Sequence, residues 1–246
     1  ETGVFVLIIV IYFYGLSGFK DIINTRFYGL FYGILIASTA PAFVLAVSNT
    51  SVANVVFIFA SMPVFAAIFS RIFLAEPIKI LLVITMGVVA VGLFFIAYGS
   101  TKVQIASWNG DIWAIYVSAA FAAALTLVRS AKIVSMVPAI PFAYLGGALV
   151  LSFFISPLEV RPQDWNLILM HGTLIGASSC LLTLGPRFIS SSEVALLILL
   201  ESVLAPILVW LILGEHPGQY AIIGGFIIIS ALCFFNLYNL SKLPRR

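Results

Sequence analysis

Residues 51–77 read SVANVVFIFASMPVFAAIFSRIFLAEP, a mostly apolar run of about 24 residues that is long enough to cross a bilayer as a helix. The run contains one proline, Pro63, and ends in Leu-Ala-Glu-Pro. A second copy, SSSEVALLILLESVLAPILVWLILGEH, occupies residues 190–216 and ends in Leu-Gly-Glu-His. Two copies of one membrane segment in one chain predict a fold built from an internal repeat.

The composition excludes a water-soluble globular protein. Hydrophobic residues make up 63% of the 246 residues, charged residues make up 9%, and the mean hydropathy is +1.20. Soluble domains are about 45–50% apolar and about 25% charged. Long apolar runs without alternation favour membrane-spanning helices over the short strands of a membrane barrel. The chain is therefore predicted to be an all-α polytopic membrane protein. Nine visible spans are predicted at 4–19, 28–47, 53–74, 78–99, 111–131, 138–156, 166–186, 193–213 and 218–238.

The repeat extends beyond the two quoted segments. Residues 31–77 align with residues 170–216 without a gap, and the alignment pairs Glu76 with Glu215. If each repeat has five spans, residues 1–105 form a first repeat that lacks its first helix, and residues 106–246 form a complete second repeat. The short apolar run at the start of the chain is accordingly interpreted as a clipped helix.

Basic residues divide unequally between the two sides of a nine-span chain. One side receives Lys20, Arg26, Arg71, Lys79, Arg129, Lys132, Arg187, Lys242, Arg245 and Arg246. The other side receives Lys102 and Arg161. Because cytoplasmic loops are enriched in Lys and Arg, the C-terminus is predicted to be cytoplasmic. The Glu76 turn then lies inside and the Glu215 turn outside, so the two copies are predicted to be inverted, as in many secondary transporters.

Signatures of enzymes and metal proteins are lacking. The sequence has no HExxH, no G-x-S-x-G and no glycine-rich phosphate loop. Its two histidines, His171 and His216, are isolated, and its two cysteines have no C-x-x-C spacing. We therefore expect no metal, no cofactor and no catalytic site. The net charge of +3 is too small to indicate a nucleic-acid partner.

Glu201 is the one carboxylate placed deep in a predicted span. A charged side chain at the centre of a bilayer costs about 2.5–3.5 kcal/mol on insertion scales, so we expect it to face a cavity or a partner. Two interpretations stay open at this point. Glu201 contacts substrate or couples transport to protons, or it is a structural acid that supports helix packing.

Five further polar or aromatic residues are candidates for contact with a substrate. Asn54 and Ser61 share a helix face, although interhelical hydrogen bonds explain them equally well. Ser179 belongs to a stripe of small and polar residues with 4-3-4 spacing, for which close helix packing is the alternative. Trp113 and Tyr116 lie near the end of a span, where aromatic residues commonly anchor at the membrane interface.

Three prolines interrupt predicted helix interiors: Pro41, Pro63 and Pro206. A proline removes a backbone donor and bends or breaks the helix. Such a kink near the midplane either opens a cavity and acts as a hinge, or is a static bend.

Several of these segments together resemble EamA-type members of the drug/metabolite transporter superfamily. The first half contains SMPVFA at 61–66 followed by LAE at 74–76. The second half contains ESVLA at 201–205 followed by LGE at 213–215. The second repeat opens with GDIWAIYVSAAFAAALTLVRSAK at 110–132, which is similar to the Gly-Asp start and terminal arginine of the family. The likeness covers nearly the whole chain.

The resemblance implies ten helices in two inverted five-helix repeats, a central cavity and transport by alternating access. It further implies a substrate among small organic metabolites such as amino acids or their derivatives, often exported, in a plasma (bacterial inner) membrane. Ser202 replaces the usual proline of the second motif, which implies a kink displaced toward Pro206. Membrane lipids are expected contacts, while proton coupling and a homodimer are left open. A non-transporting scaffold or sensor and a lipid-acting membrane enzyme are the alternative functions.

Overall fold

The computed structural model describes residues 1–24, 27–50, 52–99, 108–153, 161–214 and 218–241. Glu215 and His216, most of the connector between the two predicted repeats, and the last basic residues lie outside these ranges. Regular structure within the ranges is helical. Its α-helices are α1 (Thr2–Tyr14), α2 (Ser17–Asn24), α3 (Phe27–Asn49), α4 (Val52–Phe59), α5 (Met62–Leu74), α6 (Ile80–Gly99), α7 (Trp108–Ser130), α8 (Ile140–Leu151), α9 (Trp165–Leu184), α10 (Ser191–Ile198), α11 (Glu201–Leu213) and α12 (Gln219–Ser241). Short 3₁₀ turns occupy Val137–Ala139, Pro162–Asp164 and Gly185–Arg187.

Six of the described segments are long and apolar enough to cross a membrane by length and composition. They are Phe27–Asn49, Phe57–Leu74, Ile80–Tyr98, Trp108–Ser130, Trp165–Arg187 and Gln219–Asn239. Two shorter apolar segments are Thr2–Tyr14 and Val137–Leu151. Large apolar side chains such as Phe13, Phe73 and Leu211 point outward, as expected of helices that face lipid. The all-helical membrane fold is confirmed, whereas the full set of nine spans stays a prediction.

The first predicted span, 4–19, is not one helix. α1 ends at Tyr14, and Gly15 adopts a positive φ of +59° before α2 begins at Ser17. Glycine reaches positive φ at little cost because it has no Cβ. The glycine therefore turns the chain, a role that the apolar pattern alone did not reveal.

The predicted span 53–74 is also divided, at Ala60 and Ser61. The backbone there tightens to i→i−3 hydrogen bonds: Ala60 N–H donates to the Phe57 carbonyl at 3.0 Å and Ser61 N–H to the Ile58 carbonyl at 2.9 Å. The Ser61 hydroxyl donates to the same Ile58 carbonyl at 2.6 Å. A 3₁₀ interruption within a long helix is a common site of bending.

The predicted span 193–213 has the same interruption. Leu200 N–H donates to the carbonyl three residues earlier at 3.0 Å, and Ser202 N–H donates to the Leu199 carbonyl at 3.2 Å. This interruption lies at the start of α11, and the kink expected toward Pro206 stays a prediction. The Ser202 hydroxyl, which donates to the Leu199 carbonyl at 2.7 Å, adds a side-chain contact to the tightened backbone.

The helix boundaries repeat along the chain at one constant offset. Adding one constant number of residues to the bounds of α4 (52–59) gives the bounds of α10 (191–198). The same shift converts both ends of α5 into the ends of α11, and the start of α6 into the start of α12. α5 and α11 also end alike, because Ala75 and Gly214 both adopt the left-handed conformation, with φ of 54° and 74°. The boundaries thus follow the ungapped register of the sequence. The orientation of the two copies in a membrane stays a prediction.

α7 lies at the centre of the described bundle. Half of its most apolar stretch is buried, which is the largest share among the six candidate spans. The helix packs against α3, α4, α5 and α10. Ala122 and Leu125 of α7 share one core cluster with Met62 of α5 and Val194 of α10. Because α5 belongs to the first half and α7 and α10 to the second, this cluster joins the two halves.

α6 and α12 form a second close pair that also joins the halves. Gly92 and Gly224 face each other across it: a Cβ on Gly92 would lie 2.9 Å from the Gly224 carbonyl oxygen, and a Cβ on Gly224 would clash with the Gly92 carbonyl oxygen. Small residues let helix backbones approach closely, which is a principal source of helix association in lipid. The two glycines therefore set the spacing of this pair.

Candidate functional site

A small cavity with hydroxyl groups in its wall lies where α3 meets α7, α8 and α9. Its volume is about 40 Å³, enough for one or two water molecules. Tyr32, Thr39, Tyr144, Ser179 and Thr183 contribute the hydroxyl groups, and apolar side chains of α3, α7, α8 and α9 form the rest of the wall. We call it the hydroxyl cavity.

Two hydroxyl pairs join the helices around the cavity. The Tyr32 and Thr183 hydroxyl oxygens are 2.7 Å apart, and this pair is buried and joins α3 of the first half to α9 of the second. The Tyr144 and Ser179 hydroxyl oxygens are 2.9 Å apart and join α8 to α9. Thr183 also donates to the Ser179 carbonyl at 2.7 Å. Since Ser179 and Thr183 are four residues apart, one face of α9 presents both hydroxyls.

Of the candidates chosen from sequence, Ser179 lines this cavity. Tyr116 lies on the α7 surface toward α3, where its hydroxyl donates to the Ser38 hydroxyl oxygen at 2.8 Å. The Trp113 ring packs edge-on against the Tyr116 ring, with the ring centroids 6.1 Å apart. Both aromatic side chains are partly exposed, and neither is among the side chains that form the cavity wall.

Asn54 and Ser61 take part in hydrogen bonds within the protein. Asn54 donates to the Asp111 carboxylate at 2.6 Å and to the Thr50 hydroxyl oxygen at 3.1 Å, and so connects α4 to the start of α7. Ser61 donates to a backbone carbonyl at the interruption between α4 and α5. These contacts correspond to the packing interpretation that the sequence left open beside substrate contact.

Glu201 lies apart from the hydroxyl cavity. It is the first residue of α11, its side chain is exposed, and it does not line the cavity. Among the described residues, the ion pairs do not include the Glu201 carboxylate. Met62 occupies the equivalent position of the first half, where it is 2% exposed. The structure thus places the two equivalent side chains in opposite environments.

The three prolines occupy different positions. Pro41 lies inside α3, so the regular bond to the carbonyl four residues earlier cannot form there. Pro63 lies in the first turn of α5 and is buried, which is a position that tolerates a missing N–H. Pro206 lies within the bounds of α11. The expectation of an interior position for Pro63 is therefore corrected to the start of a helix.

The sequence analysis missed a group of polar contacts at one end of the bundle. Arg129, in the last turn of α7, donates through Nε to the Glu76 carboxylate at 2.8 Å and through Nη1 to the Pro186 carbonyl at 3.2 Å. The sequence placed Glu76 only in the turn that ends its helix. The two partners are 53 residues apart in sequence, and no local pattern relates them.

Buried hydroxyls continue this group into the bundle. The Ser70 and Ser191 hydroxyl oxygens are 2.5 Å apart, and Thr126 donates to the Ser191 hydroxyl oxygen at 3.4 Å. We call Ser70, Glu76, Thr126, Arg129 and Ser191 the polar cluster. It ties α5 of the first half to α7 and α10 of the second, beside a cavity of about 350 Å³.

A looser ion pair lies at the rim of the same cavity. Lys79 Nζ is 3.5 Å from a Glu193 carboxylate oxygen, and the Lys79 side chain is 61% exposed. Glu193 also closes a capping box with Ser190 at the start of α10. Within the described residues, no group of three or more His, Cys, Asp or Glu side chains could hold a metal ion.

An apolar helical bundle that encloses hydrogen-bonded polar side chains defines an integral membrane protein with a polar interior. The model of the EamA-like transporter family matches residues 2–98 and 108–237. The chain therefore belongs to the EamA-like transporter family, and the resemblance seen in its motifs is confirmed.

A curated relative agrees with this assignment, and a solved structure has the same fold. The chain is similar to "Uncharacterized transporter YdfC" of Bacillus subtilis (strain 168), with 24% identity over 189 residues, which cover 70% of this chain and 58% of that protein. The matched region thus spans less than two thirds of the relative. A solved crystal structure shares the fold with a TM-score of 0.74 at 14% identity, covering 84% of this chain and 76% of the other.

Proposed function

We propose that the protein is a secondary membrane transporter that exports small organic metabolites, such as amino acids or their derivatives. The observation that carries this proposal is the hydroxyl cavity, because its wall presents five hydroxyl groups between helices of both halves of an apolar bundle. Secondary transporters bind their substrates near the bilayer midplane, at the interface between structural repeats. Membership of the EamA-like family supports the same conclusion. A catalytic activity is not part of this proposal.

The proposed architecture is a pair of inverted repeats, 1–105 and 106–246, with nine visible spans. The constant offset between equivalent helix ends supports the repeat. The unequal distribution of basic residues supports the inversion and a cytoplasmic C-terminus in a plasma (bacterial inner) membrane. In this orientation the turn at Glu76, and with it the polar cluster, faces the cytoplasm.

Alternating access is the proposed mechanism, and the polar cluster is its proposed inner gate. The cluster joins α5 to α7 and α10 by an ion pair and by buried hydroxyl contacts. Separation of the halves at this end requires that these contacts break together. Because the hydroxyl cavity holds only water-sized volume here, substrate binding also requires that the Tyr32–Thr183 pair separates. We propose that this arrangement is a closed state between two open ones.

Flux through liposomes tests the proposal. The protein is reconstituted into liposomes that are preloaded with unlabelled amino acids and uncharged amino-acid derivatives, and counterflow of the labelled compounds is measured. We expect saturable flux of at least one compound above that of protein-free liposomes. A double variant of the Tyr32–Thr183 pair, Tyr32→Phe with Thr183→Val, should alter the saturation constant. Absence of flux for every compound tested would contradict transport and favour a scaffold or sensor.

Glu201 is proposed to couple transport to protons. Its position at the start of α11, next to the 3₁₀ interruption, lets its charge state influence the bend of this span. The variant Glu201→Gln keeps the size of the side chain and removes its carboxylate. We expect its flux to lose the dependence on an imposed pH gradient that the unaltered protein shows. Unchanged flux with an unchanged pH dependence would eliminate the coupling role and leave a structural one.

A further inference from the structure

We propose that the hydroxyl cavity selects a small uncharged substrate, with a hydroxyl or amide group on an apolar body, over zwitterions and organic ions. The inference rests on the proposed transport function and narrows it. Amino acids with free amino and carboxylate groups become poor substrates, and derivatives in which both charges are absent become good ones.

The first argument is the absence of charge in the cavity wall. None of the side chains described as lining it is acidic or basic. Arg129 lies one residue beyond the lining residue Val128, but its guanidinium donates hydrogen bonds to the Glu76 carboxylate and to the Pro186 carbonyl. A charge placed among apolar groups without a partner is strongly disfavoured. An ammonium or carboxylate group therefore finds no compensating charge among the described lining residues.

The second argument is the kind of hydrogen bond that the wall offers. A hydroxyl group has one donor and two acceptor lone pairs, so each of the two hydroxyl pairs can exchange its internal bond for a bond to a ligand. The two pairs share α9, whose Thr183 pairs with Tyr32 of α3 and whose Ser179 pairs with Tyr144 of α8. A ligand group that both donates and accepts, such as a hydroxyl or an amide, matches them.

The third argument is the apolar remainder of the wall. Phe121, Leu125, Ile140 and Leu182 line the cavity beside the hydroxyls. Apolar walls with a few placed polar groups are typical of sites for small organic ligands. Because the present volume is about 40 Å³, the ligand enters only as the hydroxyl pairs separate, which limits it to a small molecule.

A matched pair of compounds tests the inference. Counterflow is measured with an amino acid and with its N-acetyl amide, which keeps the side chain and lacks both charges. We expect the N-acetyl amide to be transported with a rate constant about 100-fold higher, as the burial of an unpaired charge would dictate. Equal or faster transport of the free amino acid would overturn the inference and leave the transport function standing. Failure of both compounds and of the wider panel would overturn the transport function and the inference together.

Variants of the wall provide the second readout. Tyr144→Phe and Ser179→Ala each remove one member of a hydroxyl pair, and Ser178→Ala removes a neighbouring hydroxyl that is exposed and bonded to the Ile175 carbonyl. We expect the first two to weaken binding of the N-acetyl amide about fivefold, measured by the ligand-induced shift in melting temperature. The control should bind it normally. Equal effects of all three variants would show that the cavity hydroxyls do not contact the ligand.

Discussion

The two interrupted spans of the molecule, α4–α5 and α10–α11, share a backbone and differ in their side chains. Both are divided after eight residues, both resume for thirteen, and both end in a left-handed residue. Met62, the first residue of α5, is buried against α7 and α10, whereas Glu201, the first residue of α11, is exposed. One repeat therefore supplies a tightly packed interruption and the other an accessible one.

The difference follows from what covers each interruption. α5 packs against both α7 and α10, while the principal described neighbour of α11 is α12. A helix held on two sides moves only when its partners move, whereas a helix held on one side bends more freely. The first copy thus has a buried methionine at this position, and the second copy has an exposed carboxylate. The repeat is thus structurally regular and chemically asymmetric.

The largest expected effect comes from fixing the contact between α5 and α10 in the polar cluster. Ser70→Cys combined with Ser191→Cys, in a background of Cys180→Ser and Cys233→Ser, places two thiols where hydroxyl oxygens are 2.5 Å apart. That proximity favours a disulfide. We expect mild oxidation to abolish flux and a reductant to restore it. Each single-cysteine variant serves as the control and should be insensitive to oxidant. Normal flux through the crosslinked protein would remove the polar cluster from the gate.

The next effect comes from exchanging the two equivalent side chains. Met62→Glu buries a charge in a cluster of apolar residues, so we expect the free energy of unfolding to fall by about 3 kcal/mol. The reciprocal change, Glu201→Met, removes an exposed charge and should leave stability equal or higher. Met62→Leu controls for altered packing and should change stability by less than about 1.5 kcal/mol. Denaturant titration in detergent measures all three, and equal losses for both exchanges would contradict the asymmetry.

Much of this fold could be predicted from the sequence, because apolar runs of membrane length define helices and the ungapped register between the two halves defines the repeat. The interruptions could be predicted only in part. Pro63 indicated a bend in the first copy, but Ser202 gave no such signal at the same position. The sequence analysis looked for bends at prolines, and the interruption at Ser202 forms without one.

The site was harder to predict because its partners are distant in sequence. Tyr32 and Thr183 are 151 residues apart, and each resembles a common polar residue on a membrane helix. Ser179 was selected because the stripe on its helix was visible, yet its partner Tyr144 was not among the candidates. Only the packing of α3, α8 and α9 brings the hydroxyls together. Glu76 and Arg129 likewise became partners only through the contact of α5 with α7.

A smaller effect on stability distinguishes the Arg129–Glu76 ion pair from the Lys79–Glu193 ion pair. Glu76→Gln removes the charge from the 2.8 Å pair with Arg129, whose side chains are 27% and 19% exposed. We expect the free energy of unfolding to fall by about 1 kcal/mol. Lys79→Gln acts on the 3.5 Å pair, whose lysine is 61% exposed, and should change stability by less than about 0.5 kcal/mol. A larger effect of the lysine substitution would show that the rim pair is the stronger contact.

The smallest effect is expected at Pro63. It tests whether the interruption between α4 and α5 is a feature of both repeats or is created by this one residue. In the second copy the interruption forms without proline, since Ser202 N–H donates to the carbonyl three residues earlier. Pro63→Ser should therefore keep the interruption and change stability by less than about 1 kcal/mol. Ala123→Pro, in the interior of α7, is the contrasting control and should cost about 3 kcal/mol or more. Hydrogen exchange at the new amide distinguishes the outcomes. Protection comparable to that of Ser202 means that packing against α7 and α10 imposes the interruption, whereas protection typical of a regular helix means that Pro63 creates it.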